Sequence, residues 1–342
     1  MKQLLISFLL ISTSLWAIPE EGFEEQWNQE VLPYFHRLQE GEIINKQGLT
    51  LKYFHSSDIH PENHTLVIVP GRTEPAMKYA ELIFDLRHSR LNIFIMDHQG
   101  QGLSQRLLKD THKGHIHRFS DYVQDFEQFM NEVVMKSSAN KLYLIAHSMG
   151  GAVTTSYLSR NPDVFTKAAL MAPMLEINTE PYSEIVARYY AKILVTIGKG
   201  DEYAPGKGPY LPEEDKFETN DVTQSEARFN AAKSLFLNAP SLIVGGPSAR
   251  WVHESLKFTK NIHKLKMKTP VILFQSGKDE VVKPSRQNSF CRKSFCRMIR
   301  VPEAKHEMLM ETDSIRNSVL KQIESFFSID LFPEDRKSIK GY

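Results

Sequence analysis

The chain has 342 residues, 41% of them hydrophobic and 24% charged, which suits one large globular domain or two modest ones with a substantial core. Lys and Arg number 42 against 41 Asp and Glu, a formal net charge of +1. With no dense basic stripe either, nucleic acid is not an expected partner.

The N-terminus begins Met1-Lys2 and runs apolar from Leu4 to Trp16 before Ala17-Ile18-Pro19-Glu20 turns polar. A spanning helix needs roughly 20 apolar residues, and this run is shorter. A positive start, a short apolar centre and small Ala17 read as a secretory signal peptide over 1–17. The expectation is an exported protein, periplasmic or secreted. Leu15 suits the cleavage site only moderately, so an uncleaved anchor and membrane association stay open, as does a buried N-terminal helix.

Phe23 to Leu38 reads as a helix, and Glu42 to Asn45 with Leu49 to Phe54 as an antiparallel hairpin around Lys46-Gln47-Gly48. Strand and helix then alternate. Thr65 to Val69 and Leu91 to Met96 are short buried strands, with helical spacing from Met77 to Arg87 between them. Phe119 to Val134 carries one apolar stripe of Tyr122, Val123, Phe126, Met130, Val133 and Val134. Leu142 to Ala146 and Ala168 to Met171 are further strands. No clean strand occurs from Pro173 to Lys266, a stretch with helical pieces at Ala227 to Leu237 and Arg250 to Asn261. Strands resume at Val271 to Gln275 and Met298 to Val301, and a helix using Ile315, Val319, Ile323, Phe326 and Phe327 follows.

This alternation implies an α/β fold with a mainly parallel sheet and helices on both faces. The core is expected over 23–172 and 267–330, and 173–266 is expected as an inserted helical cap over the strands' carboxyl ends, where open α/β sheets bind ligands.

The most informative stretch is Leu142-Tyr143-Leu144-Ile145-Ala146-His147-Ser148-Met149-Gly150-Gly151. A strand stops at a serine flanked by small residues and a helix follows at once, the pattern of a nucleophile elbow. Ala146 stands where glycine is usual. A serine hydroxyl needs a base, and the base an orienting carboxylate, in the chain order serine, acid, histidine. Asp279 lies in the turn after Val271 to Gln275, with Glu280 as its competitor. His306 lies in the turn after Met298 to Val301. An oxyanion needs backbone N–H donors, here Met149 and, from Pro70-Gly71-Arg72-Thr73-Glu74, Arg72. The Arg72 side chain either meets an anionic head group or pairs with a rim carboxylate such as Glu74.

His112, His115 and His117 cluster in a polar loop without metal-ligand spacing, and His306-Glu307 does not open an H-E-x-x-H site because residue 310 is methionine. No metal or organic cofactor is expected. Cys291 and Cys296 are either bridged or two unpaired thiols, and their spacing leaves both readings open.

Asp97-His98-Gln99-Gly100-Gln101-Gly102-Leu103-Ser104, Ala-His-Ser-Met-Gly-Gly and Ser276-Gly277-Lys278-Asp279-Glu280-Val281-Val282 resemble the monoacylglycerol lipase and serine aminopeptidase-like α/β-hydrolases. Further segments resemble bacterial lysophospholipases of the PldB type. These are Pro70 to Glu74, Lys78 to Leu82, Gly245-Gly246-Pro247-Ser248, Trp251 to Ser255 and His306 to Leu309. Gln99 departs from the pattern, which has arginine there. The resemblance implies an α/β-hydrolase fold and a serine hydrolase that cleaves the acyl ester of lysophospholipids to fatty acid and glycerophosphodiester. Leu235, Phe236, Trp251 and Phe258 of the cap are then expected over the acyl chain, and peripheral membrane contact through the cap. A monoacylglycerol lipase or general carboxylesterase is the alternative within the class. A catalytically inactive exported binding protein is the alternative outside it.

Overall fold

The computed structural model describes residues 17–138 and 140–333. The expected signal segment therefore lies outside the described residues, apart from buried Ala17. Helical turns Phe23–Gln26, Trp27–Val31 and Leu32–Phe35 follow one another, the middle one wide. Phe23, Trp27, Val31 and Phe35 are all buried, four residues apart. That spacing exceeds 3.6 residues per turn, and the wide turn brings the four side chains back onto one face.

The strands are β1 (Gln39–Ile44), β2 (Thr50–His55), β3 (His64–Val69), β4 (Leu91–Met96), β5 (Leu142–His147), β6 (Lys167–Met171), β7 (Val271–Ser276) and β8 (Cys296–Val301). They form one sheet in the order β1-β2-β4-β3-β5-β6-β7-β8. β1 and β2 are the antiparallel hairpin, β2 meets β4 antiparallel, and every pairing from β4 to β8 is parallel. This is the expected α/β-hydrolase architecture. β4 and β7 are buried along their whole length, which explains why they read as unbroken apolar runs rather than as alternation. Helices Phe119–Phe129, Ser148–Arg160 and Asp313–Phe327 supply apolar faces to the core, among them Phe126, Val153 and Ile323.

The chain between β6 and β7 carries helices Glu184–Thr196, Glu226–Asn238 and Ala249–Ile262. The last two match the helical spacing of the sequence, and the first was not anticipated. Arg228, on Glu226–Asn238, is fully buried and fastens this segment to the core. Its guanidinium pairs with Glu81 and Asp313 at 2.8 Å each and donates to the Glu311 and Ile18 carbonyls. Arg316 pairs with Asp85 beside it at 2.7 Å. Cys291 and Cys296 are bridged, tying helix Pro284–Cys291 to β8.

Removing one partner of a buried ion pair strands the other charge and costs about 3–5 kcal/mol. Arg228→Met is therefore expected to lose stability on that scale in urea denaturation. An unchanged midpoint and slope would contradict the anchoring role.

Candidate active site

β5 delivers the chain to Ser148, whose backbone is left-handed at φ 47°, and helix Ser148–Arg160 starts there. The turn requires Gly150, because a Cβ there would collide with the Val69 and Pro70 carbonyl oxygens. Ala146 is fully buried in register between Val69 and Leu170, so the position two before the serine does admit a methyl group.

The loops after β7 and β8 bring the other two residues to this turn. His306 Nε2 lies 2.9 Å from Ser148 Oγ, and His306 Nδ1 lies 2.8 Å from Asp279 Oδ2. Asp279 Oδ1 accepts the Val281 and Val282 amides at 2.9 Å each. Asp279 thus holds the imidazole, whereas Glu280 offers its carbonyl to Asn178. Burial alone would push the Asp279 carboxyl up. The His306 hydrogen bond and charge and the two amides outweigh it and hold the group below the usual carboxylate range.

Met149 N–H lies in the first turn of its helix, where amides lack an intrahelical acceptor. The Gly71–Arg72 loop is braced from both sides. Gln101 Nε2 donates to the Gly71 carbonyl at 3.0 Å and its Oε1 accepts the Thr73 amide at 3.2 Å. His98 Nε2 donates to the Pro70 carbonyl at 3.0 Å. Asp97 accepts the Ala76 and Leu103 amides at 2.6 and 2.8 Å. Sequence reasoning gave these residues only a family likeness and missed their bracing role.

The Arg72 side chain is a correction to one of its expected uses, since it does not pair with Glu74. Its Nη2 donates to the Gly245 carbonyl, and its Cζ stands 5.1 Å from the Trp251 ring centre. Glu74 instead faces inward to Gly71, Tyr79 and His147. The guanidinium therefore ties the loop after β3 to the inserted segment.

A cleft of about 610 Å³, within the usual range for ligand sites, is lined by Ile177, Tyr182, Val186, Tyr190, Leu194 and Trp251, among others. Its lining includes none of Ser148, Asp279 and His306; Ile177 on its wall pairs with Val282 of the Asp279 loop, and Met174 N donates to the Ser148 carbonyl at 2.9 Å. Of the four expected acyl-covering residues, Trp251 lines this cleft. Leu235 and Phe236 pack in a separate small cluster with Leu242 and Ile243, and Phe258 stacks on Phe119. His115 is buried, with Nδ1 hydrogen-bonded to Ser248 Oγ at 2.9 Å.

At the departure from the family pattern, Gln99 Nε2 donates to Asp125 Oδ2, and Asn45 Nδ2 donates to Oδ1 at 3.0 Å. Both partners are uncharged, and burial pushes the Asp125 carboxyl up to about 7.

A family model described as serine aminopeptidase, S33, matches residues 60–313. Lysophospholipase L2 of Escherichia coli (strain K12) is 32% identical over 335 residues, 94% of this chain and 97% of its own. A probable lysophospholipase L2 of Haemophilus influenzae is 30% identical over 320 residues, 91% and 99% of the two chains. A soluble variant of monoglyceride lipase from Saccharomyces cerevisiae superposes with TM-score 0.64 at 18% identity, over 85% of this chain and 95% of that one, a likeness of fold.

The Asp125 carboxyl binds its proton more tightly in the folded than in the unfolded chain. Its stabilising effect is full below about 3.8, the unfolded value, and is lost as pH rises through about 7. Asp125→Asn removes this titration. Its Tm relative to the unmodified protein is expected to rise steadily between about pH 4 and pH 8, and a difference that is flat with pH would contradict the assignment.

Proposed function

The chain belongs to the serine aminopeptidase, S33, family of α/β-hydrolases as a homologue of lysophospholipase L2, and on that premise we propose that it hydrolyses the remaining acyl ester of lysophospholipids. The observation that carries this reading is the line Ser148 Oγ, His306, Asp279 at hydrogen-bond distances. His306 Nε2 takes the proton from Ser148 Oγ as that oxygen attacks the ester carbonyl. Asp279 fixes the imidazole tautomer through Nδ1–H and stabilises the imidazolium. The amides of Met149 and Arg72 hold the oxyanion. His306 then protonates the departing glycerol oxygen, leaving an acyl ester on Ser148. Water attacks this ester with its proton passing to His306, the fatty acid leaves, and Ser148 regains its proton.

In this reading residues 173–266 form a cap, and the cleft beside Trp251 takes the acyl chain. Helix Glu184–Thr196 supports a lipid-surface contact. Ile185, Tyr189 and Ile193 are spaced four residues apart and are each more than half exposed, and Arg188 and Lys192 stand among them. Such a face suits the boundary of an anionic bilayer. Among the described residues no helix is long and apolar enough to cross a membrane. Export through residues 1–17 accords with the Cys291–Cys296 bridge, since such bridges persist in oxidising compartments.

Ser148→Ala is expected to lower kcat on lysophosphatidylcholine by about 10⁴-fold or more while its circular dichroism stays unchanged. Retained turnover would remove Ser148 from the mechanism. Turnover of monoacylglycerol but not of lysophosphatidylcholine would favour the glycerol-lipase reading, and failure of a fluorophosphonate to label Ser148 would favour a binding protein.

Ile193→Glu is expected to weaken sedimentation with vesicles containing phosphatidylglycerol and to slow hydrolysis of vesicle-borne substrate several-fold, with a soluble short-chain ester unaffected. Undiminished vesicle binding would contradict the lipid contact.

A further inference from the structure

His147 directly precedes the nucleophile and is buried. Its Nδ1 lies 2.9 Å from Glu74 Oε2, and its Nε2 lies 3.2 Å from the His306 carbonyl oxygen. A carbonyl oxygen has no proton to give, so Nε2 must carry one to make that bond. On the other side the Glu74 carboxylate already accepts the Gly71 amide and the Tyr79 hydroxyl, so it is arranged as an acceptor towards Nδ1 as well.

We propose that His147 carries both ring protons and, paired with Glu74, is a positioning residue for His306. The proposal rests on the reading of Ser148 and His306 as nucleophile and base.

Charge balance supports it independently. Lys78 Nζ lies 2.6 Å from Glu307 Oε1 and 3.8 Å from Glu74 Oε1, and all three side chains are largely buried. With Glu74, Glu307 and Lys78 charged, the set is neutral only when His147 is cationic. An unbalanced buried carboxylate is costly. Burial pushes the His147 imidazole down, but the charge and hydrogen bond of Glu74, with Glu307 and the His306 carbonyl, outweigh it and leave the group raised. Other titratable neighbours are Tyr79, which burial and Glu74 keep protonated, the His306 ring, 4.8 Å away, and Glu81, which lines the same small cavity and is paired with Arg228. His98 lies on the loop after β4 and is held neutral by burial, its value pushed down to about 4.

One carboxylate and one imidazolium thereby join three pieces of the site. These are the Gly71–Arg72 loop, the end of β5 and the main chain of His306. The ring of His306 must stay within 2.9 Å of Ser148 Oγ, and freedom in its backbone moves that ring. The consequence falls on the chemical step rather than on substrate binding.

Two variants separate the two bonds. In His147→Gln the amide nitrogen takes the place of Nε2 and still reaches the His306 carbonyl. In His147→Asn it takes the place of Nδ1 and reaches only Glu74. On a soluble short-chain ester, His147→Asn is expected to lose roughly 10- to 100-fold in kcat with KM within about twofold, and His147→Gln to retain most of kcat. The unmodified enzyme should also lose kcat as pH rises and His147 gives up its Nε2 proton while keeping the Nδ1 proton towards the Glu74 carboxylate, a limb that is absent in His147→Gln. Nitrogen-15 NMR of the unmodified protein tests the state directly and depends on no variant folding. Two protonated ring nitrogens at His147 near pH 7 are expected. A singly protonated ring, or an Asn variant as active as the unmodified enzyme, would overturn the proposal. Ser148→Ala run alongside keeps the two readings apart, since retained activity there removes the proposed mechanism and leaves the NMR result on His147 standing.

Discussion

The site depends on one backbone constraint, the left-handed conformation of Ser148 at φ 47°. For a side chain other than glycine this conformation costs roughly 1–2 kcal/mol, so the surroundings must enforce it. They do so from three directions. β5 is paired in parallel on both sides up to the turn, through Val69 with Ala146 and His147 with Met171. Gly150 lets the new helix press against the end of β3, and Met174 N holds the Ser148 carbonyl from below. The hydroxyl then stands at the carboxyl edge of the sheet. The loops after β3, β7 and β8 end at the same edge and bring Arg72, Asp279 and His306 with them.

Charge is distributed so that the reacting groups rest on buried and balanced neighbours. Asp279 is satisfied by two amides and one imidazole. Behind it Glu74, His147, Lys78 and Glu307 form a second compact set. Farther out, Arg228 and Arg316 meet Glu81, Asp85 and Asp313 and hold the inserted segment and the last helix to the core. Such pairs are a modest source of net stability, but breaking one strands its partner, so they fix which segments lie together.

What the sequence disclosed followed the range of the interactions involved. The elbow is a local pattern, and chain order together with strand ends picked out Asp279 and His306, which the structure brings together at Ser148. Strand ends shifted by one to three residues, as with Gln39, His64 and Cys296 at the starts of β1, β3 and β8, because apolar runs fade there. The Arg72 side chain escaped prediction because its acceptor, Gly245, is 173 residues away on the inserted segment. Phe236 was equally illegible, since what each face of Glu226–Asn238 packs against is decided by docking and not by periodicity. Helix Glu184–Thr196 did carry a signal in Ile185, Tyr189 and Ile193, but those residues face outward and build no core. The His147 contacts join residues 73 and 159 positions apart, a proximity that no single motif reveals.

In the proposed mechanism acyl transfer runs through an ester on Ser148 whose later fate has forgotten the head group. Product partitioning in water–methanol mixtures tests this most directly, using lysophosphatidylcholine and a monoacylglycerol that bear the same acyl chain. A shared acyl-serine must give one ratio of methyl ester to fatty acid from both substrates. A ratio that changes with the head group would rule out the shared acyl-serine, and no turnover of lysophosphatidylcholine at all would rule out the proposed substrate.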